Sequence, residues 1–242
     1  LAFISWLWHT RADMSELITT TPQSANHSIR LEIVKFNELT SVMNNQQIRL
    51  ATIAIADFVN RQEADDKQML SVTPEAIAER HTAVIALEPP QPASTEPSLA
   101  TASTEGDGVA NFADRLVGYV GAMTPIEHTC AGITRQMTEV GSLKVSRKLR
   151  GHGIGTVLFG KILQATEAEG LTPYAFCNDD SLPIAESLAG REITYATEIP
   201  PEALELCKTC PLYGQATDKS YGCCDTVMVW NSTNRAPKTP SH

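Results

Sequence analysis

The run Leu143-Lys144-Val145-Ser146-Arg147-Lys148-Leu149-Arg150-Gly151-His152-Gly153-Ile154-Gly155 constrains this chain more than any other. An apolar, strand-like stretch enters a short basic turn rich in glycine, and a helical pattern follows at once. Glycine lets backbone approach a ligand with no Cβ in the way. The first turn of the following helix points unpaired N–H groups and the positive end of its dipole at the same spot. That arrangement is a receptor for phosphate or pyrophosphate, and Arg150 sets a guanidinium fork beside it. The competing reading is a tight strand-to-helix turn with no ligand.

Spacing separates the known phosphate loops. A P-loop ends in Gly-Lys-Ser/Thr, whereas Gly155 is followed by Thr156 and Val157. A dinucleotide fingerprint needs G-x-G-x-x-G. Gly151 and Gly153 satisfy its first half, but Thr156 holds the third position and Gly155 comes one residue early. The run does match Arg-x-x-Gly-x-Gly, read from Arg150 to Gly155. Upstream, Glu139-Val140-Gly141-Ser142-Leu143-Lys144-Val145 has the form Glu, a few residues, then Leu-x-Val. Downstream stand Asn178-Asp179-Asp180-Ser181 and Leu188-Ala189-Gly190.

Together these stretches resemble the GNAT superfamily of acyl-CoA-dependent N-acyltransferases over roughly residues 112–198. The resemblance implies an α/β fold, with a mixed, mainly antiparallel central sheet flanked by helices and splayed between its fourth and fifth strands. It implies acetyl-CoA as cosubstrate. Backbone N–H groups of Arg150, Gly151, His152, Gly153, Ile154, Gly155 and Thr156 would hold the pyrophosphate. Leu143, Lys144 and Val145 would pair with the pantetheine arm, and Asn178 and Ser181 would meet it from the next strand.

The reaction so implied is direct attack of a primary amine, on a small molecule or peptide, upon the thioester in a ternary complex. Glu139 is the candidate general base, at the position where some family members carry one, and an ordinary strand glutamate in a salt bridge is its bland alternative. His128 is the runner-up base, placed on a loop. Many family members carry a tyrosine acid seven residues after the asparagine; here that position is Ala185. Tyr174, Tyr195 and Tyr213 are candidates for the role among the five tyrosines. The missing acid keeps a second class of function open: a non-catalytic acyl-CoA sensor, or a zinc-stapled interaction module on the same fold.

Composition narrows the partners. A net charge of -9 argues against general binding to nucleic acid or anionic membranes. No apolar run approaches the roughly 20 residues of a membrane span. Leu1 to Trp8 is apolar but short and without a basic leader. A cytoplasmic location is therefore expected, with residues 1–13 as an upstream extension and Met14 as the natural start. The resemblance also admits a homodimer.

Apolar periodicity predicts strands at 27–35, 82–87, 115–123, 136–146, 172–177, 191–199 and 225–230. It predicts helices at 48–59, 73–80, 153–169 and 181–188. The expected layout is a partly disordered extension over 1–28, a domain over 29–230 and a disordered tail over 231–242. Within the domain, the Pro/Ser/Thr/Ala-rich segment 88–111 is expected to be a flexible insertion, and 200–224 a cysteine-rich one.

In that second insertion Cys207, Cys210, Cys223 and Cys224 form two close pairs. Two close pairs can supply four thiolates to a structural zinc ion. Adjacent Cys223 and Cys224 make poor simultaneous ligands, and His128 or Asp225 could substitute. Reduced thiols packed in a loop, or a disulfide, are the alternatives. Cys177 ends a predicted strand and reads as packing.

Overall fold

The computed structural model describes residues 16–20, 27–34, 44–61, 71–89, 112–208, 213–214, 219–222 and 225–231. Nine strands are described: β1 (Glu16–Thr20), β2 (His27–Val34), β3 (Thr82–Leu87), β4 (Leu116–Ala122), β5 (Ile126–Cys130), β6 (Ile133–Val145), β7 (Thr172–Cys177), β8 (Arg191–Glu192) and β9 (Thr226–Val229). They form one sheet in the order β1-β2-β3-β4-β6-β7-β9-β8, with β5 hairpinned onto β6. Every pairing is antiparallel except β6 with β7. The described helices include α1 (Asn45–Asn60), α2 (Pro74–Ala78), α3 (Ile154–Ala168), α4 (Leu182–Ser187) and α5 (Pro201–Cys207).

Local chemistry sets several boundaries. Asn44 and Gln47 close a reciprocal capping box at the start of α1. The Thr73 side chain accepts from the Ala76 N–H, and Pro74 takes the first helical position of α2. The β5–β6 hairpin turns through Ala131 and Gly132, both with positive φ. That is the tight geometry the twist of paired strands favours.

Two departures from the sequence reading have physical causes. The strand expected over 191–199 is a ladder of two residues. After Ile193 donates to the Val227 carbonyl, the chain turns into a 3₁₀ segment at Ala196–Glu198 and meets Pro200 and Pro201. Proline has no N–H for a ladder and suits a helix start, so α5 begins there. Residues 16–20, placed in the N-terminal extension, pair with β2 from Glu16↔Leu31 to Thr20↔His27.

The two faces of the sheet bury different cores. On one, Leu158, Phe159, Ile162 and Leu163 of α3 pack with Val84, Val120, Val140, Ala175 and Trp230. The approach is close enough that a Cβ on Gly118 would stand 2.7 Å from Leu158 Cδ1. The other face carries two separate clusters. Ile55, Phe58 and Val59 of α1 and Ile77 of α2 cover Ile85 and Tyr119. Beyond β6, Ile193, Ile199, Ala203 and Tyr221 cover Tyr174, Val227 and Val229.

Leu158 is fully buried at the contact of α3 with β4. Leu158→Ala is expected to cost about 2–5 kcal/mol of unfolding free energy, read as a lower midpoint in urea with an unchanged slope.

Candidate functional site

The glycine turn stands at the C-terminal end of β6. Leu149 is buried in the α3-side core and pins a 3₁₀ turn at Arg147–Leu149. Arg150 follows in extended conformation, and its Nε donates to the Val145 carbonyl over 3.1 Å. Gly151 and Gly153 have φ of 76° and 79°. Nothing lies within 4 Å of where either Cβ would stand, so backbone conformation and not crowding demands glycine. Gly153 caps α3 and brings no side chain to its first-turn N–H groups. The helix ladder begins with Val157 N–H to the Gly153 carbonyl. The three N–H groups before it are those an anion would take.

The other expected loop residues divide between loop and core. His152 is exposed, and its Nδ1 donates to the Arg150 carbonyl over 2.9 Å, so it braces the turn. Ile154 points into the core. Gly155 is a packing glycine: a Cβ there would stand 3.2 Å from Ile184 Cδ1 of α4 and 3.8 Å from Val145 Cγ2. Thr156 is half-buried in the first turn of α3. Leu143 and Val145 pack against the α3-side core. Lys144 is buried on the opposite face, where its ammonium donates to the Arg61 carbonyl over 2.9 Å.

From this turn a wedge runs back along β6. The parallel pairing with β7 lasts for three residue pairs, Met137↔Thr172, Thr138↔Pro173 and Glu139↔Tyr174. Past Glu139, β6 pairs with β4 and β7 with β9. The cause is a bulge. Between the pairs Tyr119↔Lys144 and Gly121↔Gly141, β6 uses one residue more than β4, and Ser142 sits at φ 59°. An extra residue bends the strand that carries it. The wedge from Glu139 to Val145 is roughly 20 Å long at the usual rise per residue.

Glu139 occupies the closed end of the wedge. It is half-buried, on the sheet face away from α3, between the two clusters of that face. Its carboxyl has no hydrogen-bond partner among the described residues. Burial raises its pKa, and the charge of Arg80 opposes the rise. Tyr174 adjoins it in register across the parallel pair. Burial first, then the Glu139 charge, holds the Tyr174 phenol protonated well above the usual tyrosine range. Of the other tyrosines, Tyr195 is 68% exposed and Tyr213 37%. Tyr174 alone of the three lies in this seam.

Asn178 also holds the local turn. Its Oδ1 accepts from the N–H groups of Asp180 (3.1 Å) and Ser181 (3.0 Å) and from Ser181 Oγ (3.1 Å). The side-chain oxygen therefore holds the turn into α4, and only the amide Nδ2 is left to meet a ligand. Ser181 closes that turn from its other side. His128 lies on strand β5 and not on a loop, with Nε2 3.0 Å from the Thr197 carbonyl. Cys177 is buried; burial pushes its thiol up to about 12, which suits packing. Cys207 is half-buried at the end of α5, while Cys210, Cys223 and Cys224 lie outside the described residues. Among the described residues no group of three or more His, Cys, Asp or Glu could hold a metal ion.

Residues 77–190 match the sequence profile of the Acetyltransferase (GNAT) family. Over these residues the chain is similar to the GNAT acetyltransferases. Its mixed, mostly antiparallel sheet with one parallel pair is consistent with the fold of that family. No curated protein sequence matches the chain. Solved structures resemble it at low identity. Arabidopsis thaliana NAA60 in complex with acetyl-CoA is 13% identical, covering 84% of this chain and 97% of that one, with a TM-score of 0.42. Escherichia coli ElaA is 13% identical, covering 84% and 99%, with a TM-score of 0.41. Rv2747 from Mycobacterium tuberculosis, solved with CoA and NLQ, is 17% identical, covering 75% and 93%, with a TM-score of 0.40.

Three residues of this seam escape sequence reading. Arg80, Tyr119 and Ser142 belong to no motif, and the contact between Arg80 and Ser142 joins positions 62 apart. The paired glycines Gly121 and Gly141 are the one local sign of the space they occupy.

The raised pKa of Glu139 has a consequence for stability. Below its ordinary titration range the carboxyl is neutral in folded and unfolded chains alike. As pH climbs from there through the raised folded value, the unfolded chain loses its proton first, and folding stability falls. Glu139→Gln removes that penalty. The melting temperature of the variant minus that of the wild type is expected to increase with pH across this window; a difference independent of pH would contradict the burial.

Proposed function

We propose that this protein is an N-acetyltransferase, moving an acetyl group from acetyl-CoA to a primary amine of a small molecule or peptide by direct attack in a ternary complex. One observation carries the reading. A single wedge, opened by the Ser142 bulge, has a phosphate receptor at its mouth and a half-buried carboxyl at its closed end. The GNAT-family match supports acetyl transfer in general.

The residues divide the work by position. The N–H groups at the start of α3, with Arg150, bind the pyrophosphate, and the edge of β6 that β7 leaves takes the pantetheine arm. Both reactants are then held in one geometry, which removes most of the entropic barrier to their meeting. Glu139 accepts a proton from the acceptor ammonium. The freed amine nitrogen bonds to the thioester carbonyl carbon, the C–S bond breaks, and the second proton the nitrogen sheds on becoming an amide balances the one the departing thiolate takes up. A carboxyl with a raised pKa is the better base for this, because proton transfer is most efficient when donor and acceptor are closely matched. The wedge needs no covalent intermediate, and buried Cys177 is not poised to form one.

The substitution at the family tyrosine position favours the second reading, a non-catalytic acyl-CoA sensor. Ala185 is fully buried in α4 and offers no proton. Calorimetric titration of acetyl-CoA, run beside NADH and ATP, begins the test. Selective micromolar binding is expected, and Arg150→Glu should abolish it. Thiol release across a panel of amines then separates the readings. Turnover above background supports the enzyme, whereas tight CoA binding with no turnover supports the sensor.

For the enzyme, Glu139→Gln is expected to lower kcat by a factor on the order of 10² or more, with acetyl-CoA affinity nearly unchanged. Full activity in that variant removes Glu139 from the role of base.

A further inference from the structure

Gly121 of β4 and Gly141 of β6 face each other across the ladder, so the sheet there is bare backbone. Three polar side chains surround this floor. A Cβ on Gly121 would stand 2.5 Å from the Tyr119 hydroxyl and 3.3 Å from Arg80 Cδ. A Cβ on Gly141 would stand 3.5 Å from Glu139 Oε1. The Arg80 side chain thus lies over the strand where any other residue would block it. Its Nη2 donates to Ser142 Oγ over 3.2 Å, at the residue that makes the bulge.

Arg80 is 5% exposed, yet among the described residues its Nε and Nη1 have no acceptor, and the Tyr119 hydroxyl has no partner. Unpaired buried donors on a charged group are costly. Arg80 forms no direct ion pair with Glu139, so its charge is not neutralised by contact and acts through space. The other groups around Glu139 do not replace it. Tyr119 and Tyr174 are held protonated by burial, Tyr119 with its pKa raised to about 12. Lys144 of β6 is bonded to the Arg61 carbonyl, and Glu202 and Cys207 of α5 bear on Tyr174.

We propose that Arg80 is a positioning residue for acetyl transfer: anchored by Ser142 above the Gly121–Gly141 floor, its charge favours the carboxylate of half-buried Glu139 while making no direct pair with either of its oxygens. The role rests on Glu139 being the base proposed above. An arginine paired directly to Glu139 would occupy the oxygens that must take the proton. An exposed arginine would be screened by water. Arg80 avoids both: it is buried, near and unpaired.

The test titrates the Glu139 carboxyl itself by ¹³C NMR in the full chain, its signal assigned by its loss in Glu139→Gln. In Arg80→Gln the midpoint is expected to rise by about one pH unit or more, as removal of a nearby opposite charge dictates, and Arg80→Lys should restore most of the difference. The acid limb of the kcat/KM profile should move in the same direction. An unchanged midpoint in folded Arg80→Gln overturns the proposal, even where activity falls. If Arg80→Gln does not fold, Ser142→Ala frees the guanidinium from its anchor; a smaller rise supports the proposal and no rise overturns it. Absence of acetyl transfer with every amine would defeat the catalytic reading of the wedge, and with it this role, while the carboxyl titration separately decides the electrostatic coupling.

Discussion

The parting of β6 from β7 is the constraint on which the rest of the site depends. Buried backbone N–H and C=O groups must find partners, and in a continuous sheet the neighbouring strand supplies them. Here that supply stops after the pair Glu139↔Tyr174. The Ser142 bulge bends β6 off its course, and β7 stays with β9. Past that point the edge of β6 is a row of donors and acceptors with no strand to meet. A ligand with amide groups along its length can take the strand's place. The same divergence sets the glycine turn and the start of α3 at one end of the wedge and Glu139 at the other.

The two faces of the sheet divide the labour. On the α3 face the packing is dense and apolar, with Leu158, Ile162 and Leu163 fully buried and Gly118 and Gly155 admitting close approach. A rigid α3 holds its N-terminal N–H groups in fixed directions, as preorganised recognition of an anion requires. On the other face two apolar clusters are parted by a polar seam of Arg80, Tyr119, Glu139 and Ser142. A continuous apolar layer there would be more stable, since it would leave no donor unpaired. The seam puts titratable groups beside the closed end of the wedge at the expense of packing, the usual exchange at functional sites.

How much of this was legible in the sequence follows from how local each feature is. The glycine turn could be read because its signals lie within a few residues: Gly151 and Gly153 for left-handed backbone, Leu149 to pin the strand end, and α3 immediately after. The long strands and α1, α2 and α3 could be read from periodicity and caps. The β5–β6 hairpin could not, because Ala131-Gly132 is a weak turn signal and Ala131 adopts its positive φ only under the ladder's demand. Asn178 was legible as a position, but its Asx-turn bonding to Asp180 and Ser181 was not, because it depends on the local backbone path into α4. Arg80 was illegible in principle. Its meaning lies in a contact with Ser142 across two strands and in the absence of side chains at Gly121 and Gly141.

A cation buried beside the base also bears on how an acceptor enters. On the proposed reading, the amine arrives as an ammonium and must leave its proton on Glu139. Arg80 affects the two states of that pair in opposite ways: it favours the carboxylate, and it disfavours a second cation close by. The ammonium is therefore held less tightly at the closed end than a lone carboxylate would hold it. After transfer the amine is neutral and Glu139 is protonated, so the neighbouring positive charge no longer repels the acceptor. Burial works on the same balance from the other side, making the protonated carboxyl easier to form. Arg80 and burial thus oppose each other on the charge of Glu139 but agree on the acceptor, since both favour a neutral nucleophile over a charged one. A surface glutamate with a direct arginine partner would have neither property, which gives a physical reason for this seam to be buried, polar and incompletely paired.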